Sequence, residues 1–469
     1  MDKSNTKNNS FFLKGLVILA LGIAVNLLGS WAATSLHLPV YLDCLGTILV
    51  SAMGGYLPGT IVGFVSNLIN GFKDPTNAYY AVLSVMIGVI TAYYAERGYF
   101  KSFWKALLVV FPLALIGGFF GSILTYLING FGIGDGISSE LALSILKEGK
   151  FGIFLSQLSS DMLYDIFDKL ITIVIAFFIL KLIPQKVQDS FQFQGWKQTP
   201  LSAEETKHAY KSAKSGRSLR SKVLLLIGVA TVFIAAATTG ISFVLYRRAM
   251  MNDHTQVGKG VARLVESVID GDRVNEFIEQ GEQAEGYAKI EDELEKIRST
   301  SEDILYVYVY KIEKDGCHVV FDLDTEDTPG GEPGEIVPFD ESFEPVLDDL
   351  LAGRPIEPLI TDDTFGWLLT MYEPIRDSKG VTQAYACVDI SMAQVTLDGI
   401  EFLTKVVALF LGFFIMIVAI GLWFAEYHMI LPINTMAIAA NRFAYQTEED
   451  REDSVEHFKN LNIRTGDEI

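Results

Sequence analysis

Long, nearly uncharged apolar runs divide this chain, and they constrain its fold more than any other feature. Six runs lie in the first 185 residues, and two more follow. They cover about 11 to 36, 40 to 54, 57 to 71, 78 to 96, 104 to 129, 152 to 183, 223 to 246 and 402 to 425. Crossing about 30 Å of hydrocarbon takes roughly 20 residues of helix. The pattern therefore predicts a helical membrane protein, with Gly54, Gly55 and Pro58 breaking the second and third runs into a tight hairpin.

Lys and Arg in the short loops indicate the orientation of these helices, because such residues concentrate on the cytoplasmic side. Basic clusters precede the first run, separate the fourth from the fifth (97–105), and follow the sixth in a polar linker over 186–222. All three clusters fall on one side of the membrane if the six helices are real. Arg247 and Arg248, which follow the seventh run, are the exception. We therefore expect a multi-pass membrane protein, with both termini cytoplasmic and residues 247–401 outside.

Polar residues of the six N-terminal runs converge on the outer leaflet under this topology. They are Asp43, Asn67, Asn70, Asp161 and Asp165. Acidic groups at membrane depth are costly unless they are paired, hydrated or facing a cavity. The pattern predicts a polar ligand cavity open to the outside. The alternative is a purely structural ion pair, since Lys169 lies one helical turn after Asp165.

The stretch LDCLGTILVSAMGGYLPGTIVGFVSNLING, with the Ala20 and Ala24 pair on the first helix, resembles the substrate-binding S components of energy-coupling-factor vitamin transporters. The resemblance covers about residues 11 to 185, within a predicted domain of residues 1–185, and it implies that the membrane is a bacterial cell membrane. It implies capture of a small, vitamin-like molecule from outside, and it implies that the small residues of the first helix dock an energising subunit. Ordinary helix packing is the alternative explanation for the small residues.

The segment predicted to lie outside changes its period along the chain. Residues 252–298 have a helical pattern of apolar positions, whereas ILYVYVYKI, CHVVFDL, FGWLLTMYEPI and VTQAYACVDI alternate with the period of strands. Tight turns join these strands into two hairpins, with a Gly- and Pro-rich loop and a short helix between the hairpins. Residues 249–401 carry 35 acidic and 11 basic residues. The negative electrostatic field of this segment repels nucleic acid, so no nucleic-acid partner is expected.

This order of elements, closing on AYACVDIS, resembles a PAS-like Cache sensor domain. The resemblance makes Asp389 a polar pocket group. Tyr306, Trp367 and Tyr372 are the aromatic candidates for the same ligand site, and a role in the hydrophobic core is the alternative for all three. Cys317 and Cys387 both lie in predicted strands, where either a disulfide or two free thiols is compatible with the sequence.

The last predicted membrane helix, 402–425, is followed by a pattern that resembles a HAMP coupling domain over 426–469. Pro432, Met436 and Phe443 fit its first helix, and the terminal IRTGDEI, with Glu468, fits the start of its second helix. HAMP domains pair two helices from each of two subunits, so the resemblance implies a homodimer. It also leads us to expect a cytoplasmic output domain beyond residue 469.

The sequence contains no GxxxxGK[ST], HExxH or paired-cysteine motif, so we expect no catalytic site, metal site or cofactor within these residues. The predicted fold class is a helical membrane protein, a six-helix bundle plus two further helices, with an outside α+β domain. The predicted function is a receptor that senses small molecules outside the cell. The alternative is the substrate-binding component of an uptake transporter. An enzyme would require the output domain, for which a serine/threonine phosphatase, a diguanylate cyclase and a histidine kinase are the candidates.

Overall fold

The structure, a computed structural model, describes residues 3–184, 187–188, 219–301, 303–325, 328–339, 343–363, 366–430, 432–433, 435–436 and 455. The chain separates into two compact units. The first combines Met1–Gly240 with Glu401–Ile469, and the second is Ile241–Ile400.

Helices cover all six N-terminal apolar runs of the first unit. They are α1 (Lys3–Ser35), α2 (Leu45–Gly54), α3 (Tyr56–Asn70), α4 (Thr76–Tyr79), α5 (Ala81–Glu96), α6 (Phe103–Leu108), α7 (Val110–Ala114), a π-helical turn (Leu115–Phe120), α8 (Gly121–Ile128), α9 (Ser139–Lys147) and α10 (Ile153–Leu182). Helix α9 is not predicted by the apolar pattern because it is short and polar on one side. The fifth run is a single path of α6, α7, the π turn and α8.

Five helical stretches among the described residues are long and apolar enough to cross a membrane. They are Gly15–Ser35, Thr76–Glu96, Phe103–Ile128, Ser221–Val268 and Met392–Ile430. Three predicted spans do not meet this standard. Helices α2 and α3 have only 10 and 15 residues, and α10 carries three Asp and Lys169 along its length. The apolar helices are compatible with a membrane protein.

Helices α1 and α2 approach each other closely because glycines lie at their crossing. A Cβ added to Gly46 would lie 1.9 Å from the carbonyl oxygen of Gly22, and one added to Gly29 would lie 2.3 Å from the carbonyl oxygen of Leu42. Small residues allow such backbone contact between helices in a membrane. These glycines therefore serve packing within the bundle.

One buried amide, Asn26 of α1, joins three helices. Its Nδ2 donates to Thr47 Oγ1 (2.8 Å) in α2 and to Ser66 Oγ (3.0 Å) in α3. Its Oδ1 accepts the backbone N–H groups of Gly46 (2.7 Å) and Thr47 (3.2 Å). The first N–H groups of a helix have no partner within that helix. Asn26 thus caps α2 from a neighbouring helix.

The second unit contains an antiparallel sheet preceded and followed by long helices. Its elements are α11 (Leu219–Val268, which begins in the first unit), α12 (Val274–Gln280), α13 (Tyr287–Arg298), β1 (Ile304–Glu313), β2 (Gly316–Asp322), β3 (Ile336–Val337), α14 (Leu347–Leu351), β4 (Leu359–Asp363), β5 (Gly366–Arg376), β6 (Thr382–Ser391) and α15 (Met392–Ala425, which ends in the first unit). The strand order is β3-β2-β1-β6-β5-β4. Both predicted hairpins are present, and the short edge strands β3 and β4 are additional.

The two faces of this sheet pack differently. One face forms the main core, where Val309 of β1 and Met371 of β5 pack in one cluster with Val265 of α11 and Phe277 of α12. On the other face, Tyr372, Tyr385 and Cys387 form a smaller cluster with Leu350 of α14. The sheet therefore buries apolar side chains on both sides, which explains the near-continuous burial of β5 and β6.

Cys317 and Cys387 are both free and buried. Cys317 pairs with Ile312 of β1, and Cys387 pairs with Tyr308 of the same strand. Strand β1 therefore separates the two cysteines. Strands two places apart are roughly 9 to 10 Å apart, which exceeds the Cα separation of a disulfide. This geometry explains the free thiols.

Replacing Asn26 by Ala should destabilise the first unit, because buried hydrogen-bonding groups of Gly46, Thr47 and Ser66 would lose their partner. We expect a loss of about 3 kcal/mol in unfolding free energy, seen as a Tm lower by roughly 5 to 10 °C in detergent micelles. Asn70→Ala, which removes a half-buried amide from the end of α3, is the matched control and should change the Tm little. Equal shifts for the two variants would contradict the role assigned to Asn26.

Candidate functional site

A cavity of about 520 Å³ lies among the helices of the first unit. Residues of α3, α5, α8 and α10 line it, together with the α1–α2 connection and the loop between α8 and α9. Most of the lining side chains are polar, although the helices that surround the cavity are largely apolar. Pockets of roughly 300 to 1,000 Å³ suit drug-sized ligands. The cavity is therefore large enough for a small organic molecule.

Asp161 of α10 is the most completely bonded acid of the cavity. Its Oδ1 accepts hydrogen bonds from Ser138 Oγ (2.6 Å) and from Gln157 Nε2 (2.8 Å). Its Oδ2 lies 2.9 Å from Ser122 Oγ, whose hydroxyl proton is shared with the carbonyl oxygen of Gly118 (2.5 Å). The side chain is 7% exposed. Hydrogen-bond donors stabilise a carboxylate in its charged form. The three donors also hold the carboxylate in one orientation.

Two turns further along α10, Lys169 lies between two carboxylates. Its Nζ is 2.6 Å from Asp168 Oδ2 and 3.3 Å from Asp165 Oδ1. Asp168 is fully buried, and its Oδ1 also accepts the backbone N–H groups of Tyr41 (2.8 Å) and Leu42 (2.9 Å). This network ties the α1–α2 connection to α10. Asp165 and Lys169 line the cavity, whereas Asp168 does not.

Amides and hydroxyls from outside α10 also line the cavity. Asn67 Nδ2 donates to Ser84 Oγ (2.7 Å), which joins α3 to α5. The hydroxyl of Tyr80 lies 2.7 Å from Thr125 Oγ1 of α8. Neutral groups of this kind can both donate to and accept from a ligand. They can orient a ligand while the carboxylates supply the charge.

Four of the five residues predicted for this site line the cavity: Asp43, Asn67, Asp161 and Asp165. Asn70, in the last turn of α3, is not a lining residue. The structural ion pair considered as an alternative for Asp165 is also present. Other lining residues are not predicted by the sequence: Tyr41, Asp74, Tyr80, Asp135, Ser138 and Gln157. Asp74 and Asp135 lie in loops beside Pro and Gly, where acidic residues are common.

A second, smaller pocket of about 110 Å³ lies on the sheet of the second unit. Tyr306, Tyr308 and Tyr310 line it from β1, Tyr372 from β5 and Asp389 from β6. The hydroxyl of Tyr308 donates to Asp389 Oδ1 over 3.5 Å. The predicted candidates Tyr306, Tyr372 and Asp389 are therefore brought together.

Trp367 is not a lining residue of this pocket. Successive side chains of a strand point to opposite faces, and the pocket is lined by Leu368, Thr370 and Tyr372 of the same strand. Trp367 therefore belongs to the other face of β5, and its side chain is 38% exposed.

Asp322 is a second carboxylate of the sheet pocket. Its Oδ2 accepts hydrogen bonds from the hydroxyl of Tyr310 (3.1 Å) and from the N–H of Gly331 (3.0 Å). Burial raises the pKa of Asp322 above its usual range, against the lowering effect of these two bonds. Burial likewise raises the pKa of Tyr308 and of Tyr372. These phenols therefore stay protonated at neutral pH.

Glu313, Asp315 and His318, near the β1–β2 turn, are the one metal-competent group among the residues that the structure describes. His318 Nε2 lies 3.0 Å from Asp315 Oδ1, which accounts for the pair without an ion. Of the predicted coupling residues, Pro432 and Met436 are helical. Phe443, Glu468 and most of the linker over 186–222 lie outside the described residues.

No model of a known protein family matches the chain, and neither a curated protein nor a solved structure matches it.

Because its folded pKa is raised, ionised Asp322 opposes folding. The protonated form is favoured in the folded state, so stability falls as the pH rises from the unfolded pKa to the folded pKa. Asp322→Asn removes this penalty and keeps an acceptor for Tyr310. We expect its Tm relative to the parent to increase as the pH is raised from 4 to 7. Asp348→Asn, at an exposed position, is the control with the same charge change. A difference from the parent that does not vary with pH would contradict the assignment.

Proposed function

We propose that the chain is a transmembrane signal receptor that binds small molecules at the bundle cavity and at the sheet pocket. The bundle cavity is the main observation in support of this proposal. It places Asp161 and Asp165 beside a volume that suits an organic ligand, within helices of otherwise apolar composition. Carboxylates are costly in such surroundings. Apolar side chains would pack the helices at a lower cost than these carboxylates. A site for a polar ligand, in contrast, requires charged or polar groups.

In this proposal the first unit contains a six-helix bundle, residues 1–185, similar to a vitamin transporter S component. The cytoplasmic linker is 186–222, and membrane helices over 223–246 and 402–425 enclose an extracytoplasmic Cache-like domain at 247–401. A HAMP-like coupler over 426–469 pairs with a second copy and passes the signal to a cytoplasmic output domain. The acidic outside segment and the basic loops support this orientation.

Chain continuity supports a sensor role for the second unit. Asp389 lies in β6, which ends at Ser391, and α15 begins at Met392. A pocket carboxylate is thus three residues from the start of a 34-residue apolar helix. A ligand that binds at Asp389 acts on the strand that continues directly into this helix. A ligand that binds one position of the strand and helix more tightly than another would therefore shift the helix toward that position.

The alternative function is the substrate-binding component of an uptake transporter. One observation favours it: Ala20 is exposed and Ala24 half-buried on α1, whereas Gly22 and Asn26 of the same helix face the bundle. A small-residue face of this kind can dock another membrane helix. Capture of an energising complex by the parent, lost in Ala20→Leu, would favour transport. Failure of bound compounds to cross a vesicle membrane would favour the receptor.

Filling the bundle cavity should abolish ligand binding without unfolding the protein. Gly121 lines the cavity, and a Cβ there would have one contact, at 3.5 Å, with Leu83 Cδ1. Gly121→Leu should preserve the fold, since Leu is about 1 kcal/mol better than Gly in a helix. In a panel of water-soluble vitamins and nucleobases, at least one compound that raises the parent's Tm should not shift the Tm of this variant.

Gly228→Leu is the matched control, because nothing lies within 4 Å of a Cβ at Gly228 in α11. This variant should keep every ligand-induced shift of the parent. A panel in which no compound shifts the Tm of the parent, or in which every compound that shifts the parent also shifts the Gly121→Leu variant fully, would contradict ligand binding in the cavity.

Compounds that still bind the Gly121→Leu variant are assigned to the sheet pocket. For these, Asp389→Asn should weaken binding roughly ten- to a hundredfold, because a buried hydrogen-bonding oxygen would be lost. Equilibrium binding by titration calorimetry measures the change. Asp292→Asn, an exposed change in α13, should leave the affinity unaltered. Unchanged affinity in Asp389→Asn would place the ligand elsewhere.

A further inference from the structure

The charges that line the bundle cavity are strongly unequal. Five carboxylates line it, and Lys169 is the one basic side chain among the lining residues that the structure describes. The carboxylates are Asp43, Asp74, Asp135, Asp161 and Asp165. Asp161 and Asp165 lie deep in the wall, at 7% and 5% exposure, whereas Asp74 and Asp135 are exposed.

Lys169 does not balance these charges, because its nearest carboxylate is not part of the lining. Asp168 Oδ2 lies 2.6 Å from Lys169 Nζ, closer than Asp165 Oδ1 at 3.3 Å. Asp168 is fully buried behind the wall. The ammonium group is therefore neutralised mainly by Asp168, and the charges that line the cavity stay in excess.

The partners of Asp161 orient its charge without cancelling it. Ser122, Ser138 and Gln157 are neutral donors. Tyr80 adds an aromatic ring to the lining, and aromatic faces attract cations. A carboxylate in surroundings of low dielectric has a stronger field than one in water. Both the field and the ring favour a positive ligand.

The volume of the cavity and the spacing of its acidic groups favour an organic cation over a metal ion as the ligand. Among the described residues, the one group with metal-ligand spacing is Glu313, Asp315 and His318, in the second unit. The acids of the cavity therefore do not converge within ligand distance of a single ion. A volume of about 520 Å³ also greatly exceeds the space that a bare ion fills.

We propose that the bundle cavity selects a positively charged small organic molecule, an amine or a quaternary ammonium compound, whose cationic group lies between Asp161 and Asp165. This inference rests on the proposed function, since it names the class of ligand for the same cavity. The ligand would replace part of the contact between Asp165 and Lys169, and the hydroxyls of the cavity would accept or donate the remaining hydrogen bonds.

Thiol-reactive probes of opposite charge test this selectivity without knowledge of the ligand. Thr125 lines the cavity. A Thr125→Cys variant in lipid nanodiscs is treated with 2-(trimethylammonium)ethyl methanethiosulfonate or with 2-sulfonatoethyl methanethiosulfonate. The parent, which has three cysteines, gives the background. Thr34→Cys, at the exposed end of α1, is the reference: it gives the ratio of the cationic to the anionic reaction rate at an exposed position outside the cavity.

We expect the cationic reagent to react at least about tenfold faster than the anionic reagent at position 125, relative to position 34, because a cleft of one charge raises the local concentration of counter-ions. Adding Asp165→Asn or Asp161→Asn should lower this ratio. Adding Glu148→Gln, the same kind of charge change at an exposed position, should not.

Equal rates, or a faster anionic reagent, would overturn the charge selectivity and leave the binding function standing. A ratio that is unaltered in both Asp variants would overturn the roles of Asp161 and Asp165. Absence of reaction with both reagents at position 125, with normal reaction at position 34, would show that the cavity is closed to water. That result would contradict the proposed function itself.

Discussion

The burial of carboxylates along α10 is the constraint on which the first unit depends. Asp161, Asp165 and Asp168 occupy one stretch of a helix that packs among apolar helices. Removing a charge from water costs several kcal/mol unless other groups replace the lost hydration. Much of the surrounding structure supplies that replacement: an ammonium group, hydroxyls, an amide and the backbone of the α1–α2 connection.

These compensating groups divide the acids into two kinds. Asp168, which is bonded to Lys169 and to the α1–α2 connection, has no access to the cavity and serves the fold. Asp161 and Asp165 border open volume, and neutral donors or a shared lysine hold them in place. A preorganised carboxylate needs little rearrangement when a ligand arrives, which improves affinity. The same network therefore accounts for the stability of the bundle and for the chemistry of its cavity.

Much of this arrangement can be predicted from the sequence. Apolar runs predict the helices, and the period-two strands predict both hairpins, because these patterns extend over many residues. The sequence also predicts that Asp43, Asn67, Asp161 and Asp165 lie together, because polar groups are rare in apolar helices, and all four line the cavity. Asn70 and Trp367 do not line the cavity or the sheet pocket, because the orientation of a side chain at the end of a helix or on one face of a strand depends on packing. Loop contributors such as Asp135 and Ser138 carry no periodic signal, and neither do the short strands β3 and β4.

Native mass spectrometry of the intact protein in nanodiscs, mixed with the small-molecule fraction of bacterial growth medium, tests the central claim most directly. The account predicts a discrete added mass, that of a small molecule that is cationic at neutral pH. The added mass should appear on the parent and on Gly228→Leu, and it should be absent from Gly121→Leu. An added mass that persists undiminished on Gly121→Leu, or none on the parent, would contradict a ligand site in the bundle cavity.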